Sequence, residues 1–133
     1  MRVGVARAVG VLVLVGFAAT ASAQLGHPLK GSWSGDWGPT KQNRTRVLLD
    51  LNWDGKAVTG AINPGPNAIV LQKADLDTAT WAVHLEADGK DAKGTVVRYV
   101  IDGKLENLGS QYRTITGIWR QGTAKGDFKV TRN

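Results

Sequence analysis

Cysteine is absent from this chain of 133 residues, and methionine, proline and aromatic residues are few. Because no disulfide can form, the fold must be held by its core and by backbone pairing alone. The same absence removes a thiol nucleophile, and no serine or threonine lies in a nucleophile-elbow context. No cysteine follows the apolar N-terminal run, which excludes a lipid anchor at that point. We therefore expect that the protein is not an enzyme.

A strong charge of one sign is also missing. The formal net charge is +6, and it falls to +4 if Arg2 and Arg7 leave with residues 1–23. Basic residues such as Lys41 and Lys125 are scattered among acidic ones, rather than aligned in a stripe that could neutralise phosphates. This distribution argues against nucleic acid as a partner.

The first 23 residues have the pattern of a secretory signal peptide. Arginines at the start precede an apolar run from Val9 to Ala19, and Ala21-Ser22-Ala23 is a small-residue cleavage site. The run is shorter than the ~20 residues that span a bilayer, although an uncleaved anchor is the alternative. We predict a signal peptide at 1–23, a single domain at 24–133, and a periplasmic or secreted location in a bacterium.

Eight short segments with alternating apolar and polar residues fill the rest of the chain, without a stretch of helical period. In the clearest segment, Val47, Leu49, Leu51 and Trp53 share one face. Another places Trp81, Val83, Leu85 and Ala87 inward, with His84, Glu86 and Asp88 outward. The predicted strands are 31–37, 45–54, 57–63, 68–76, 80–88, 94–105, 111–120 and 125–132. The facing of segment 68–76 is ambiguous, and Gly103 is interpreted as a kink within a strand rather than a turn.

The connections between these segments are short, so sequence neighbours should pair as antiparallel neighbours. Asp54-Gly55 suits a tight hairpin, and Asn63-Pro64-Gly65-Pro66-Asn67 cannot be part of a ladder. Eight meandering strands could form an open sandwich or a closed barrel. Closure removes both exposed edges. Strand glycines suit tightly bent strands, so we predict an all-β, eight-stranded antiparallel up-and-down barrel; these glycines are Gly35, Gly60, Gly117 and Gly126.

Meander topology assigns each connection to one end of such a barrel. Connections 38–44, 64–67, 89–93 and 121–124 share one end, and they are longer and richer in glycine, proline and charge than those at the other end. Loops on a rigid scaffold usually carry function, so this end is the expected mouth.

Gly31-Ser32-Trp33 opens the first strand and Arg132 ends the last. This pair resembles the signature of lipocalins and related calycin barrels, and avidin-type barrels also open with such a motif. Val58-Thr59-Gly60 is similar to the segment that follows in avidins. By alternation Arg132 faces inward and ends near Trp33, so we expect it to stack on that indole and close the base, with Arg113 as the alternative partner. The resemblance implies a calycin-like barrel, and it does not extend to biotin-contacting positions. Several short segments, Asn63-Pro64-Gly65-Pro66 among them, also resemble parts of small exported bacterial proteins without an established activity.

Two residue sets could carry chemistry. His84 and Glu86 share one strand face and could give two metal ligands or an acid–base couple, but their outward facing favours a solvated surface. We therefore expect neither metal nor cofactor. Trp37, Tyr99 and Trp119 could line an apolar pocket at the mouth, with Asn63 as polar anchor, or they could simply fill the core.

We expect an exported, non-catalytic barrel that binds a small, partly apolar ligand at this mouth. The alternative is a periplasmic protein-interaction barrel, such as an inhibitor or accessory domain, that acts through its loops. A hollow interior would favour the first, and a filled interior with an exposed apolar loop patch the second. If Trp37 lines an open mouth, its replacement by alanine should cost less stability than that of Trp33.

Overall fold

The computed structural model describes residues 26–133. The predicted signal peptide and the domain boundary at residue 24 lie outside the described residues.

Within residues 26–133 the chain forms eight antiparallel strands that close into a barrel in the order β1 to β8, with β8 pairing back onto β1. This confirms the all-β meander barrel. The described part of the chain contains no helix that is long and apolar enough to cross a bilayer. The strands are β1 (Gly31–Gly38), β2 (Thr45–Trp53), β3 (Val58–Ile62), β4 (Ile69–Asp77), β5 (Ala82–Lys90), β6 (Val96–Glu106), β7 (Thr114–Gln121) and β8 (Ala124–Arg132).

Alternation along the strands sets which side chains fill the barrel. In β2, Val47, Leu49 and Leu51 are buried, and in β5, Val83 and Leu85 are buried, as predicted. Trp81 packs against the core, as its predicted inward facing implied, but it lies outside the strand, which begins at Ala82. Its φ of 63° places it in the turn before β5, where it is half-buried against the core, because the chain reverses there on a hydrogen bond from Trp81 N–H to the Asp77 carbonyl.

Glycines on the inner face allow the barrel to be narrow. A Cβ on Gly35 would lie 1.9 Å from the Lys129 carbonyl oxygen, and one on Gly117 would lie 2.1 Å from that of Asp102. Neighbouring backbones therefore approach where a side chain would otherwise stand. Gly103 lies within β6, as predicted, and a Cβ there would meet the Phe128 ring at 2.9 Å. The missing side chains thus make room for large aromatic ones.

The ladder between β3 and β4 is much shorter than the others in the described chain. It contains two residue pairs, Ala61 with Val70 and Ile62 with Ile69. The other seven ladders contain five to nine pairs. We call this short ladder the seam.

A β-bulge explains why the facing of the fourth strand was ambiguous. The β4–β5 register shifts between Leu71 and Lys73, so one extra residue interrupts the alternation. Ile69 and Leu71 pack against the core before the bulge, and Ala74 and Leu76 do so after it. Every residue of β4 is half-buried or exposed, so this strand contributes less to the core than its neighbours.

The N-terminal lead closes the base of the barrel. Leu29 is fully buried, and the Trp33 indole N–H donates to its carbonyl at 3.0 Å. Arg113 reaches the same lead by donating to the Pro28 carbonyl at 3.0 Å. The base is therefore capped by residues that precede the first strand.

Candidate functional site

Arg44 clamps the first loop at the mouth to the last strand. Its guanidinium donates to Asp36 at 2.7 Å and to Asp127 at 2.9 Å, and it also bonds the Gly38 and Thr40 carbonyls. These hydrogen bonds raise the pKa of Arg44 and lower that of Asp127. The loop that connects β1 and β2 is thereby fixed across the β1–β8 closure of the barrel.

Three of the predicted ligand-contacting residues meet inside the mouth, as their inward facing suggested. Trp37 stacks on Trp119 with ring centroids 5.8 Å apart, and Tyr99 meets Trp119 edge-on at 6.1 Å. Phe128 also meets Trp119 edge-on, with ring centroids 5.9 Å apart. We call these four residues the aromatic stack. Their exposed fractions are 7%, 8%, 1% and 2% for Trp37, Tyr99, Trp119 and Phe128, so their rings are buried against one another.

Asn63 does not join the aromatic stack. Its side-chain oxygen accepts from the Leu48 N–H at 3.0 Å, and its own N–H donates to the Leu48 carbonyl at 2.8 Å. Its φ of 50° is a left-handed conformation that asparagine tolerates well. In the structure Asn63 therefore ends strand β3 and is exposed at its surface.

One cleft does open at the mouth, between the ends of β4 and β5. It has a volume of about 300 Å³ and is formed by Asn67, Ala68 and Ile69 on one side and Asp88, Gly89 and Lys90 on the other. The β4–β5 ladder ends at Leu71 and Ala87, so the two strands part above that point. The Tyr99 ring lies behind Gly89, 2.9 Å from where a Cβ would stand. The cleft thus reaches the edge of the aromatic stack without exposing it.

An apolar patch lies on the outer surface beside the seam. Leu48 is 40% exposed and Val70 is 67% exposed. Half-buried Ala61 pairs with Val70 across the seam. Its partner on β2 is Asp50, so Leu48 lies diagonally across from it. The loop that joins β3 to β4 carries exposed Pro64 and Pro66 at its side. These five residues are called the seam patch below.

In contrast to the apolar seam patch, the outer surface of β4 to β7 carries a network of charged side chains. His84 contacts Asp102 through Nδ1 and Glu86 through Nε2, both at 2.5 Å. Arg98 binds Glu86 and lies 3.1 Å from Asp88, while Arg120 lies 3.4 Å from Asp102. The hydrogen bonds to Asp102 and Glu86 raise the pKa of His84, and the bond from His84 lowers that of Glu86.

The geometry of this network separates its carboxylates. Asp102 and Glu86 contact opposite nitrogens of His84, so they do not converge on one point where an ion could sit. Among residues 26–133, no group of three or more histidine, aspartate and glutamate side chains is arranged to hold a metal. The arrangement ties strands together rather than presenting an open coordination site.

At the base, the two residues expected to close the barrel are cross-strand partners, since Trp33 pairs with Arg132. Trp33 is fully buried, and the Arg132 guanidinium donates to the Gln111 carbonyl at 3.3 Å. The Arg132 stem lies against Gly31. Stacking of its charge on the indole stays a prediction.

Sequence reasoning missed Arg44, Asp102 and the seam patch. Arg44 has no motif around it, and its partners come from β1 and β8. Asp102 was recognisable as an outward residue of its strand, but pairing it with His84 requires the β5–β6 register. The seam patch depends on the pairing of Ala61 with Val70, a register that the sequence does not specify.

No family model, curated protein or solved structure matches this chain. The barrel is consistent with a calycin-like architecture. A relationship to lipocalins or avidins stays a prediction, so the function has to be argued from the geometry.

Proposed function

We propose that the protein is an exported, non-catalytic β-barrel that recognises a protein partner through the seam patch and the adjoining loop. The observation that carries this proposal is the contrast between a filled mouth and an exposed apolar surface beside it. Export is supported by the signal-like pattern of residues 1–23.

The filled mouth argues against a ligand held inside the barrel. Trp37, Tyr99, Trp119 and Phe128 pack ring against ring, and inward glycines such as Gly103 leave space that these rings occupy. A small molecule could enter only by displacing them. Displacing a buried aromatic ring loses its packing energy, which is about 3–5 kcal/mol when the whole side chain is removed.

The seam patch has the character of a recognition surface. Leu48 and Val70 are exposed on an outer sheet face that alternation would ordinarily make polar, and half-buried Ala61 pairs with Val70 between their strands. Burying one such valine or leucine fully stabilises a complex by about 1.5–3 kcal/mol. Pro64 and Pro66 restrict the adjacent loop, which lowers the entropy lost when a partner orders it.

A photo-crosslinking experiment tests this proposal. A photo-reactive amino acid at exposed Asn67, beside the patch, should give a discrete protein adduct in cells that produce the protein. The adduct should disappear in a Leu48→Asp, Val70→Asp double variant whose melting temperature is nearly unchanged. The same probe at Lys129, on the far side of the barrel, is the matched control. No adduct at 67, or equal adducts at both positions, would contradict the proposal.

A second candidate is the binding of a small, partly apolar ligand at the mouth, and the cleft beside Ile69 and Gly89 favours it. Its volume of about 300 Å³ is at the lower limit for small-molecule sites. Asn67 and Lys90 offer polar contacts there, and Tyr99, Trp37 and Trp119 would contribute if the stack opened. Native mass spectrometry of the purified protein should then show a bound small molecule that is lost in a Gly89→Leu variant, whereas a bare mass would exclude this candidate.

A further inference from the structure

The contacts of His84 favour the form of its ring that carries a proton on both nitrogens. A neutral imidazole carries one N–H, so it can donate to one carboxylate only and would present a lone pair to the other. Asp102 and Glu86 each lie 2.5 Å from a different ring nitrogen. Both contacts are favourable only when the ring is protonated on both nitrogens.

The same contacts extend to the weakest strand. Arg98 holds Glu86 from the other side and also donates to the side-chain oxygen of Gln72 at 2.9 Å. Gln72 lies at the bulge in β4, between the two residues where the register shifts. Arg98 thus reaches across β5 and fixes β4 where its own ladder is interrupted.

We propose that protonated His84 is a pH-dependent clasp that, through Glu86 and Arg98, holds the bulged strand β4 against the barrel. When the proton leaves, the lone pair of one ring nitrogen faces a carboxylate, and that carboxylate must move. If Glu86 moves, Arg98 loses one of its two carboxylate partners and keeps only Asp88, so its contact with Gln72 is less firmly oriented. The clasp therefore couples one proton to the strand that carries Val70 of the seam patch.

The direction of the pH dependence follows from the shifts in pKa. The pKa of His84 is raised in the folded protein, so its contribution is fully present below the ordinary value near 6.5 and is lost as pH rises through the folded value. The pKa of Glu86 is lowered, so its contribution is present above its ordinary value and is lost in stronger acid. The clasp should be strongest between these limits, in mildly acidic solution.

The charged groups that surround the His84 ring belong to four strands, and together they determine the electrostatic potential at the ring. Asp75 is the cross-strand partner of His84 on β4 and pairs with Lys73 at 3.8 Å. On the other strands the outward charged groups near the ring are Glu86 and Asp88 of β5, Arg98, Asp102 and Lys104 of β6, and Arg120 of β7.

The first test is the NMR titration of the purified protein, whose two histidines are easily distinguished. His84 should titrate above 6.5, whereas His27, whose burial lowers its pKa, should titrate below it. An Asp102→Asn variant should move the His84 midpoint down and leave His27 in place. A His84 midpoint at or below 6.5 in the natural chain would overturn the proposal without any variant.

The second test separates the clasp from a merely structural histidine. Amide protection around Leu71 to Lys73, corrected for the intrinsic rate, should fall as pH rises through the His84 midpoint. In His84→Gln this pH dependence should vanish, while His27→Gln should keep it. Arg98→Gln should leave His84 titrating yet abolish the response at β4. Equal pH profiles for the natural chain and His84→Gln would refute the coupling.

Discussion

Two sides of the same barrel differ in how extensively their strands are paired and packed. From β5 to β8 the strands are joined by ladders of eight or nine residue pairs, and their inner face carries much of the aromatic stack. At the seam, two pairs join β3 to β4, and β4 contains no fully buried residue among those described. The barrel is closed, yet its longest ladders and most of its buried side chains lie on one side.

The difference shows how a closed barrel can retain a surface for recognition. A strand with long ladders on both sides, such as β6, has its backbone groups paired along most of its length. Strand β4 is bulged and short of partners, and the apolar Val70 lies on its outer face. Local opening is expected to be easiest where buried contacts and backbone pairs are fewest.

The largest expected effect concerns two tryptophans of β1, away from the seam. Trp33→Ala should lower the free energy of unfolding by about 3–5 kcal/mol, because the indole is fully buried and its N–H is bonded. Trp37→Ala should cost nearly as much, since the ring is stacked on Trp119. Denaturant unfolding of both variants checks this. A clearly smaller loss at Trp37 would favour a mouth that opens for a ligand.

Leucine substitutions measure the two sides directly. Leu85 of β5 is 1% exposed, so Leu85→Ala should destabilise by about 2–5 kcal/mol. Leu76 of β4 is half-buried, so the same deletion there should cost about 1 kcal/mol. Chemical denaturation of this matched pair compares the two walls. Equal losses would mean that β4 is bound as firmly as β5.

The sequence predicted the parts of the fold that repeat a simple alternation. Val47, Leu49 and Leu51 identified their strand and its inner face because no irregularity interrupts the period. The facing of β4 could not be read, since the bulge beside Gln72 changes which residues point inward. A left-handed turn residue such as Trp81 has no sequence signal either, because bulky side chains seldom adopt it.

For the candidate site, the sequence predicted which way the side chains face but not how they pack. The inward parity of Trp37, Tyr99 and Trp119 correctly brought the three rings together. Whether they line a pocket or pack against each other depends on how closely neighbouring strands approach, which the inward glycines decide in three dimensions. Asn63 begins a connection at the mouth end of the barrel, but its side-chain oxygen accepts a hydrogen bond from the Leu48 N–H instead of pointing to the aromatic stack.

Glycine substitutions test how closely the strands approach. A methyl group on Gly117 would lie 2.1 Å from a backbone oxygen and 2.5 Å from the Gly103 Cα, so the strands must move apart. We expect Gly117→Ala to destabilise by about 1–3 kcal/mol. In the described structure a methyl on Gly109 meets open space, so Gly109→Ala should stay within about 0.5 kcal/mol. Similar melting temperatures for the two variants would contradict the close approach.

The smallest effect is expected at the mouth, where charge rather than packing joins the strands. Arg44→Gln removes the partner of Asp36 and Asp127, and it should lower the melting temperature slightly at neutral pH and low salt. The pKa of Asp127 is lowered by Arg44, so this contribution is present above the ordinary aspartate range and is lost as pH falls through the lowered value.

The difference between Arg44→Gln and the natural chain should therefore shrink in acid and in high salt, because both remove the attraction. NMR titration should show the Asp127 pKa returning toward its ordinary value in the variant. Arg46→Gln, at an exposed arginine two residues further along in β2, is the matched control and should leave Asp127 unchanged. If Arg44→Gln destabilised the protein equally at all pH values, the clamp would act through the carbonyl contacts of Gly38 and Thr40 rather than through charge.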